Sequence, residues 1–298
     1  MKMSRALLRA AIVGAALWAQ GPAAGQIVLH DDRGATLSLA QPPRRIVSLL
    51  PSLTESLCAV GGCDRLVGTD RFSNWPASVQ ALPKLGGIDD AQIERIVALK
   101  PDVVLLAASA RVVDRLESLG IAVLVLESRD HADVQRTLIL LSRLLGTPGR
   151  ADSVWQAIQK AVDDAAARVP QRLRGQRVYF EVDTTPYAAG AASFIGETLH
   201  RLGMGNIAAA SLGPFPKLNP EFVVRSQPDI VMAVQQGLAD MARRPGWAGM
   251  RALQTGQRCG FDHARYELLV RPGPRMGEAA GVLADCLATL PVALPVAH

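Results

Sequence analysis

The sequence predicts an α/β protein of two Rossmann-like lobes, joined by one long connecting helix, with a ligand cleft between the lobes. Strands and helices alternate along the chain, and one segment occurs twice. Residues 93–106 read IERIVALKPDVVLL and residues 220–233 read PEFVVRSQPDIVMA, each with a Glu seven positions before a Pro-Asp pair. The copies are offset by 127 residues, from Glu94 to Glu221. We interpret them as a duplicated α/β unit.

An amphipathic helix is predicted over residues 150–169, between the two copies. Apolar residues recur there at three- and four-residue steps, and charged residues occupy the other face. Thr147-Pro148-Gly149 marks its start and Pro170 its end. Periodicity alone would fit an ordinary surface helix, but the position between two similar halves favours a connection. The predicted units are a signal peptide at 1–25, an N-terminal lobe at 26–148, the helix at 149–171 and a C-terminal lobe at 172–298.

The first 25 residues have the layout of a signal peptide. Lys2, Arg5 and Arg9 precede an apolar run at 10–19, and small residues precede Gln26. A run of about ten residues is too short to cross about 30 Å of hydrocarbon, and no cysteine lies near the cleavage site for a lipid anchor. We therefore expect an exported protein that is not held in the membrane.

Charge and composition exclude a nucleic-acid partner. Without the leader, 29 basic side chains face 27 acidic ones, and aromatic residues make up 4% of the chain. Nucleic-acid proteins instead carry basic patches, often interleaved with aromatic residues. The apolar content is enough for one large or two medium cores, and we expect the protein to be a monomer.

Four cysteines in an exported protein favour disulfides. Cys58 and Cys63 lie five positions apart around a Gly-Gly pair that lets the chain turn back. Cys259 would then pair with Cys286 and join a late strand to the last helix. Four buried thiols are the alternative.

The predicted elements of the first half begin with a strand pair at 27–46. Ser52 or Thr54 is expected to cap a helix at 53–62, and the long loop at 71–90 is expected to carry function. Apolar strands between helices indicate a parallel sheet that is covered on both faces. The other elements are strands at 45–51, 65–70 and 121–127, and helices at 109–120 and 133–146.

The second half repeats the alternation. A Gly/Ala-rich loop at 183–194 follows the first strand, and a loop is predicted at 263–274. The other elements are strands at 177–182 and 257–262, and helices at 195–203 and 275–290.

Common catalytic signatures do not occur in the sequence. It contains no G-x-S-x-G, P-loop, G-x-G-x-x-G or H-E-x-x-H motif, and the five histidines stand far apart. We therefore predict no catalytic residue, metal site or cofactor. An exported enzyme using Asp183 or Glu181 is the alternative, but catalysis would need a second positioned group.

Five segments in order give the chain a family resemblance. Together they make it similar to the periplasmic substrate-binding proteins of the cobalamin and iron-siderophore ABC importers, with the cobalamin-binding branch most similar. The resemblance covers about residues 44–290 and implies a rigid connecting helix, limited closure, and delivery of a bound ligand to a permease dimer. The segments are 45–68, 82–106, 186–207, 214–233 and 271–280.

The resemblance implies permease docking through one Glu on each lobe, Glu94 and Glu221. An exposed carboxylate on each lobe can steer and orient the protein on a two-fold partner. The alternative is that each Glu only favours the N-terminus of its own helix.

The resemblance also implies ligand-binding residues. Phe72, Phe215, Glu267 and Arg271 match positions that hold a corrinoid, and Trp75 and Tyr187 join them because of their loop positions. The chain departs from the cobalamin-binding branch where Ile88 and Ala107 or Ala108 replace tryptophans. A haem ligand would require an axial residue such as Tyr187, Tyr266 or His263, and an anionic siderophore would require several arginines.

Overall fold

A computed structural model of the chain describes residues 26–184 and 186–292. The predicted signal peptide lies outside these residues. Within them, the strands are β1 Ile27–His30, β2 Thr36–Leu39, β3 Ile46–Ser48, β4 Leu66–Thr69, β5 Val103–Leu106, β6 Val123–Val125, β7 Arg177–Asp183, β8 Tyr187–Ala188, β9 Gly205–Asn206, β10 Ile230–Val234 and β11 Arg258–Phe261. The α-helices are α1 Pro51–Ala59, α2 Ile93–Ala98, α3 Val113–Ser118, α4 His131–Leu145, α5 Arg150–Arg168, α6 Phe194–Arg201, α7 Pro220–Ser226, α8 Gln235–Met241, α9 Arg251–Gln254, α10 His263–Leu269 and α11 Met276–Thr289.

Each half of the chain builds its own sheet, as the alternation of elements predicts. The N-terminal lobe has the parallel order β4-β3-β5-β6, beside the antiparallel hairpin β1-β2. The C-terminal lobe has the parallel order β11-β10-β7-β9, with β8 antiparallel to β7. Strands β3, β5 and β6 are buried throughout, as is usual for a sheet covered on both faces. The predicted two-lobed α/β fold is confirmed.

The repeated segment has the same unusual backbone conformation in both lobes. Lys100 and Gln227 adopt left-handed φ values of 46° and 41° directly before the prolines of the two copies. Left-handed backbone is rare for residues other than glycine. The two residues are 127 positions apart, which is the offset of the sequence repeat.

The aspartate of each Pro-Asp pair fastens its helix to the start of a strand. The Asp102 carboxylate accepts the backbone N–H of Arg45 at 2.8 Å, and the Asp229 carboxylate accepts that of Arg177 at 2.8 Å. Each aspartate also donates its own N–H to the carbonyl of the same arginine. The repeated Pro-Asp pair therefore has a structural role in both lobes.

Helix α5 packs against α4 of the N-terminal lobe and against α11 and α6 of the C-terminal lobe. Its 19 residues correspond to a length of roughly 28 Å. Small residues let α5 and α11 approach closely: a Cβ atom built on Gly277 would lie 2.4 Å from the Cβ of Ala161. Beside this crossing, Arg168 pairs with Asp285 at 2.6 Å.

Two sequence predictions about helix boundaries are wrong. Helix α1 begins at Pro51, and neither Ser52 nor Thr54 caps it, because proline at the first turn places both residues inside the helix. The predicted loop at 263–274 contains helix α10, whose start is capped by the Asp262 carboxylate, 2.9 Å from the backbone N–H of Arg265.

Both cysteine pairs are disulfides. Cys58 bonds Cys63 across the end of α1, and Cys259 bonds Cys286 between β11 and α11. Within the described ranges, no helix has the length and apolar character needed to cross a membrane.

The Gly277→Ala substitution tests the close crossing of α5 and α11. The added methyl group would overlap Ala161, and we expect the free energy of unfolding to fall by about 1–3 kcal/mol. Gly281→Ala is the control in the same helix, because its Cβ would meet only the end of the Arg168 side chain, which can shift by rotation. That control should be neutral or stabilising by up to about 1 kcal/mol. Equal effects of the two variants in urea denaturation would contradict this packing.

Candidate functional site

A cavity of about 400 Å³ lies between the two lobes. Its N-terminal wall follows the carboxyl ends of β3, β5 and β6, which lie at one edge of the parallel sheet. Its C-terminal wall is the segment 270–272, after α10. Ligands of open α/β sheets bind at this edge. The lining residues are Leu50, Pro51, Ser52, Leu53, Ala107, Leu126, Glu127, Ser128, Arg129, Val270, Arg271 and Pro272.

Arg271 connects the two lobes at the mouth of this cavity. Its Nη1 donates to Glu55 Oε1 at 3.1 Å and to Asn74 Oδ1 at 2.7 Å. Its Nη2 donates to the Phe72 carbonyl at 3.2 Å and pairs with Glu267 Oε2 at 3.0 Å. The terminal nitrogens therefore have four protein partners, three of which belong to the N-terminal lobe.

Glu55, which was not among the predicted site residues, is the buried partner in this cluster. It lies in α1 and is 1% exposed, while the Arg271 side chain is 10% exposed. Burial raises the pKa of Glu55 above its ordinary value, and Arg271 offsets part of that rise. A buried carboxylate needs such a partner, so Arg271 is held against the N-terminal lobe.

The backbone of the loop that carries Phe72 and Trp75 is held by a buried network of hydrogen bonds. The Asp70 carboxylate accepts the backbone N–H groups of Phe72 at 2.7 Å and Ser73 at 3.0 Å. Lys84 Nζ donates to the Ser73 carbonyl at 2.7 Å. Burial raises the pKa of Asp70. The aromatic side chains of the loop are thus held outwards by a fixed backbone.

Both aromatic residues of this loop are exposed. Phe72 is 56% exposed and Trp75 is 39% exposed, which is unusual for large apolar side chains. The Arg275 guanidinium lies 4.9 Å from the centre of the Trp75 ring. This contact joins the tip of the N-terminal loop to the start of α11 in the C-terminal lobe.

The remaining predicted ligand residues belong to the C-terminal lobe. Glu267, on α10, accepts from Asn74 Nδ2 at 3.1 Å and therefore joins the Arg271 cluster. Tyr187 is exposed, and Lys217 Nζ lies 6.0 Å from its ring centre. Phe215 packs at a tilt against Phe194, with ring centres 5.9 Å apart. The structure thus brings Phe72, Glu267 and Arg271 together, whereas the contacts of Tyr187 and Phe215 are with other residues.

A second set of contacts joins the lobes behind the cavity. The backbone N–H of His131, at the start of α4, donates to Glu197 Oε2 of α6 at 2.8 Å. Its ring Nε2 lies 2.9 Å from Thr198 Oγ1, and burial lowers its pKa. The N–H of Phe194 donates to the Arg129 carbonyl at 2.8 Å. The two lobes are therefore bonded on both sides of the cavity.

Glu94 and Glu221 are exposed and occupy equivalent places in the two lobes. Each lies in the first turn of its helix, α2 or α7. Glu221 also borders a surface cavity of about 480 Å³ beside Pro186, Pro245 and Trp247. Within the described residues, no group of three His, Cys, Asp or Glu side chains could hold a metal ion.

Comparison with known proteins identifies relatives of one functional class. A family model described as "Periplasmic binding protein" matches residues 46–263. An uncharacterized ABC transporter substrate-binding lipoprotein of Bacillus subtilis is 26% identical over 272 residues, which cover 88% of this chain and 85% of that protein. A cobalamin-binding protein of Halobacterium salinarum is 30% identical over 211 residues, which cover 68% of this chain and 57% of that protein.

Solved structures of the same class have the same fold. The crystal structure of a periplasmic haem-binding protein from Pseudomonas aeruginosa has a TM-score of 0.69 and 25% identity to this chain. The match covers 85% of this chain and 96% of that structure.

The Arg271→Leu substitution tests the ion pair across the lobes. It leaves the Glu55 carboxylate buried without its cation, and we expect the free energy of unfolding at about pH 8 to fall by about 3–5 kcal/mol. Loss of Arg271 raises the pKa of Glu55 further, so the folded variant binds a proton more tightly than the unfolded chain. The loss of stability should therefore shrink as the pH falls towards about 5.

Urea denaturation at the two pH values measures this effect. Arg275→Leu is the matched control, because its guanidinium contacts the half-exposed Trp75, pairs with Glu278 at 2.5 Å and acts on Glu55 only at longer range, without a hydrogen bond. That variant should lose less than about 1 kcal/mol. The assignment is wrong if both variants lose the same stability, or if the Arg271→Leu loss is independent of pH.

Proposed function

Since the chain belongs to the periplasmic binding protein family, we propose that it captures a cobalamin-type corrinoid and delivers it to an inner-membrane permease. Its relatives are substrate-binding proteins of ABC transporters and not enzymes. Glu181, considered for catalysis, is instead held by Arg244 at 2.6 and 2.8 Å and by the Tyr179 hydroxyl at 2.8 Å. We propose that residues 1–25 direct export to the periplasm.

The observation that carries this ligand class is the pairing of the arginines around the cleft. Arg271 is shared by Glu55 and Glu267. Three further arginines near the cleft, which are named at the end of this paragraph, each pair with one acid. An anionic ligand would have to compete with these acids, whereas a neutral ligand with polar amides needs no free cation. The other pairs are Arg71 with Asp90, Arg129 with Asp133, and Arg275 with Glu278.

The exposed aromatic residues support a flat and largely apolar ligand. Phe72 and Trp75 present uncovered ring surface beside the mouth of the cavity. Aromatic side chains provide large apolar contact areas, and a small number of polar groups then fix the orientation of the ligand. A corrin ring with peripheral carboxamides has both features.

Haem is the second candidate ligand, and the exposed phenol of Tyr187 favours it as an axial ligand. Tyr266 is less suitable, because its hydroxyl donates to the Val182 carbonyl at 2.7 Å and burial raises its pKa to about 12. For the third candidate, His263, the ring Nε2 lies 3.4 Å from Glu267 Oε1. The propionates of haem would also meet a cleft whose arginines are already paired. A catecholate siderophore has the same disadvantage.

We propose that Glu94 and Glu221 dock the protein on the permease. They are exposed, they lie at equivalent positions of the repeat, and each lobe contributes one. A two-fold permease dimer with a basic group on each half would match this arrangement. The favourable interaction with each helix N-terminus is compatible with docking.

We also propose that the lobes, at 26–148 and 172–298, move little when ligand binds. The predicted connection at 149–171 contains α5, which packs on both lobes. Arg271 and His131 add polar contacts on either side of the cavity. Large closure around a flexible hinge would require these contacts to break.

Titration of the mature protein with four ligands tests the ligand class. We expect saturable quenching of tryptophan fluorescence by cyanocobalamin and cobinamide, because Trp75 lies at the proposed site. Ferric hydroxamate and haemin should bind at least about 100-fold more weakly, which corresponds to about 2.7 kcal/mol. Saturable binding of haemin alone, with loss in Tyr187→Phe, would replace the corrinoid by haem.

The Glu94→Ala, Glu221→Ala double variant tests docking. Ligand affinity should stay unchanged, while uptake of labelled cyanocobalamin should fall by at least about tenfold in cells that carry only the variant. An Asp64→Ala, Asp114→Ala double variant removes the same charge from exposed positions of the N-terminal lobe and should transport normally. Normal uptake by the Glu94 and Glu221 variant would remove the docking role.

A further inference from the structure

The first turn of α1 leaves one backbone donor without an intrahelical partner. Pro51, at the first helical position, has no N–H, and Leu50 provides no side-chain cap. The N–H groups of Leu53 and Thr54 donate to the Leu50 carbonyl at 3.1 and 3.0 Å. The N–H of Ser52 therefore remains available at the end of the helix that borders the cavity between the lobes.

The side chain of the same residue is also unsatisfied. Ser52 is 5% exposed and lines the cavity, and its hydroxyl has no hydrogen-bond partner among the residues that the structure describes. The Ser52 Oγ atom is itself accessible from the cavity, so its hydroxyl can donate to a group bound there. Ser52 therefore offers two donors, one from the backbone and one from the side chain, to a group inside the cavity.

An acceptor lines the same cavity. Glu127 follows β6, and its backbone is fixed by its N–H to the Asp32 carboxylate at 2.6 Å and by its carbonyl, which accepts from Arg136 at 3.1 Å. Its carboxylate forms no hydrogen bond or salt bridge within the described part of the chain, although the Arg129 guanidinium is near enough to interact with it electrostatically. The two cations on the wall, Arg129 and Arg271, are paired with Asp133 and with Glu55 and Glu267.

We propose that this cavity is a subsite for a primary carboxamide carried by the ligand. The Ser52 N–H and hydroxyl donate to the amide carbonyl oxygen, and the Glu127 carboxylate accepts from the amide nitrogen. A carboxylate in the same place would be repelled by Glu127, and an alcohol would use only part of the donor and acceptor set. The inference rests on the proposed corrinoid function, because corrinoids carry several such side chains. Ser52 and Glu127, which are not among the predicted ligand residues, would hold one of these carboxamide side chains.

Cyanocobalamin monocarboxylic acids test this subsite, because each has one side-chain amide replaced by a carboxylate. At neutral pH, the wild-type protein should bind one of these derivatives at least about tenfold more weakly than cyanocobalamin. Glu127→Gln should reduce that difference to less than about threefold, because the new amide group can donate to the carboxylate. Asp114→Asn removes the same charge from an exposed position of α3 and should leave the discrimination unchanged.

Ser52→Ala supplies an independent test of the donor side. It should weaken binding of cyanocobalamin by about tenfold, whereas Ser118→Ala, on the surface of α3, should not. Thermal unfolding of each variant checks that it is folded. If every derivative binds the wild type as well as cyanocobalamin does, or if Glu127→Gln keeps the discrimination, the subsite is wrong and corrinoid binding stands. If the wild type binds no corrinoid, both proposals are overturned.

Discussion

The buried carboxylate of Glu55 is the constraint on which the arrangement of the cleft depends. A carboxylate that is 1% exposed needs a cation, and Arg271 of the opposite lobe supplies it at 3.1 Å. The same guanidinium holds the Phe72 carbonyl, Asn74 and Glu267, so one ion pair places the aromatic loop, α10 and one wall of the cavity. Together with α5, this cluster joins the two lobes around the cleft.

Much of the fold could be predicted from the sequence because its determinants are local. Alternating apolar strands and helices indicated two parallel sheets. The sequence repeat has an offset of 127 residues, and the same offset separates Lys100 from Gln227, which share a left-handed backbone conformation. Errors arose where one residue decides a boundary. Pro51 starts α1 earlier than a serine or threonine cap would, and Asp262 caps α10 inside a predicted loop.

The site was harder to predict because its contacts join distant parts of the chain. Phe72, Glu267 and Arg271 were expected from a family resemblance, but Glu55 lies 216 positions from Arg271. No periodic pattern indicates such a pair. A usable signal was present in α1, where Ser52, Thr54, Glu55 and Ser56 occur among apolar residues and are all buried. A polar run in a buried helix implies partners from elsewhere, either protein or ligand.

We propose that the two lobes keep the same relative position while a corrinoid binds between them. All four cysteines form disulfides, so Ser118→Cys in α3 and Ala239→Cys in α8 would provide two thiols for spin labels. Pulsed electron–electron double resonance then measures the distance between the two spin labels, one on each lobe, with and without saturating cyanocobalamin. We expect the distance to change by less than about 3 Å, because the contacts on both sides of the cavity are kept. A change of about 10 Å would show hinge closure and contradict the account.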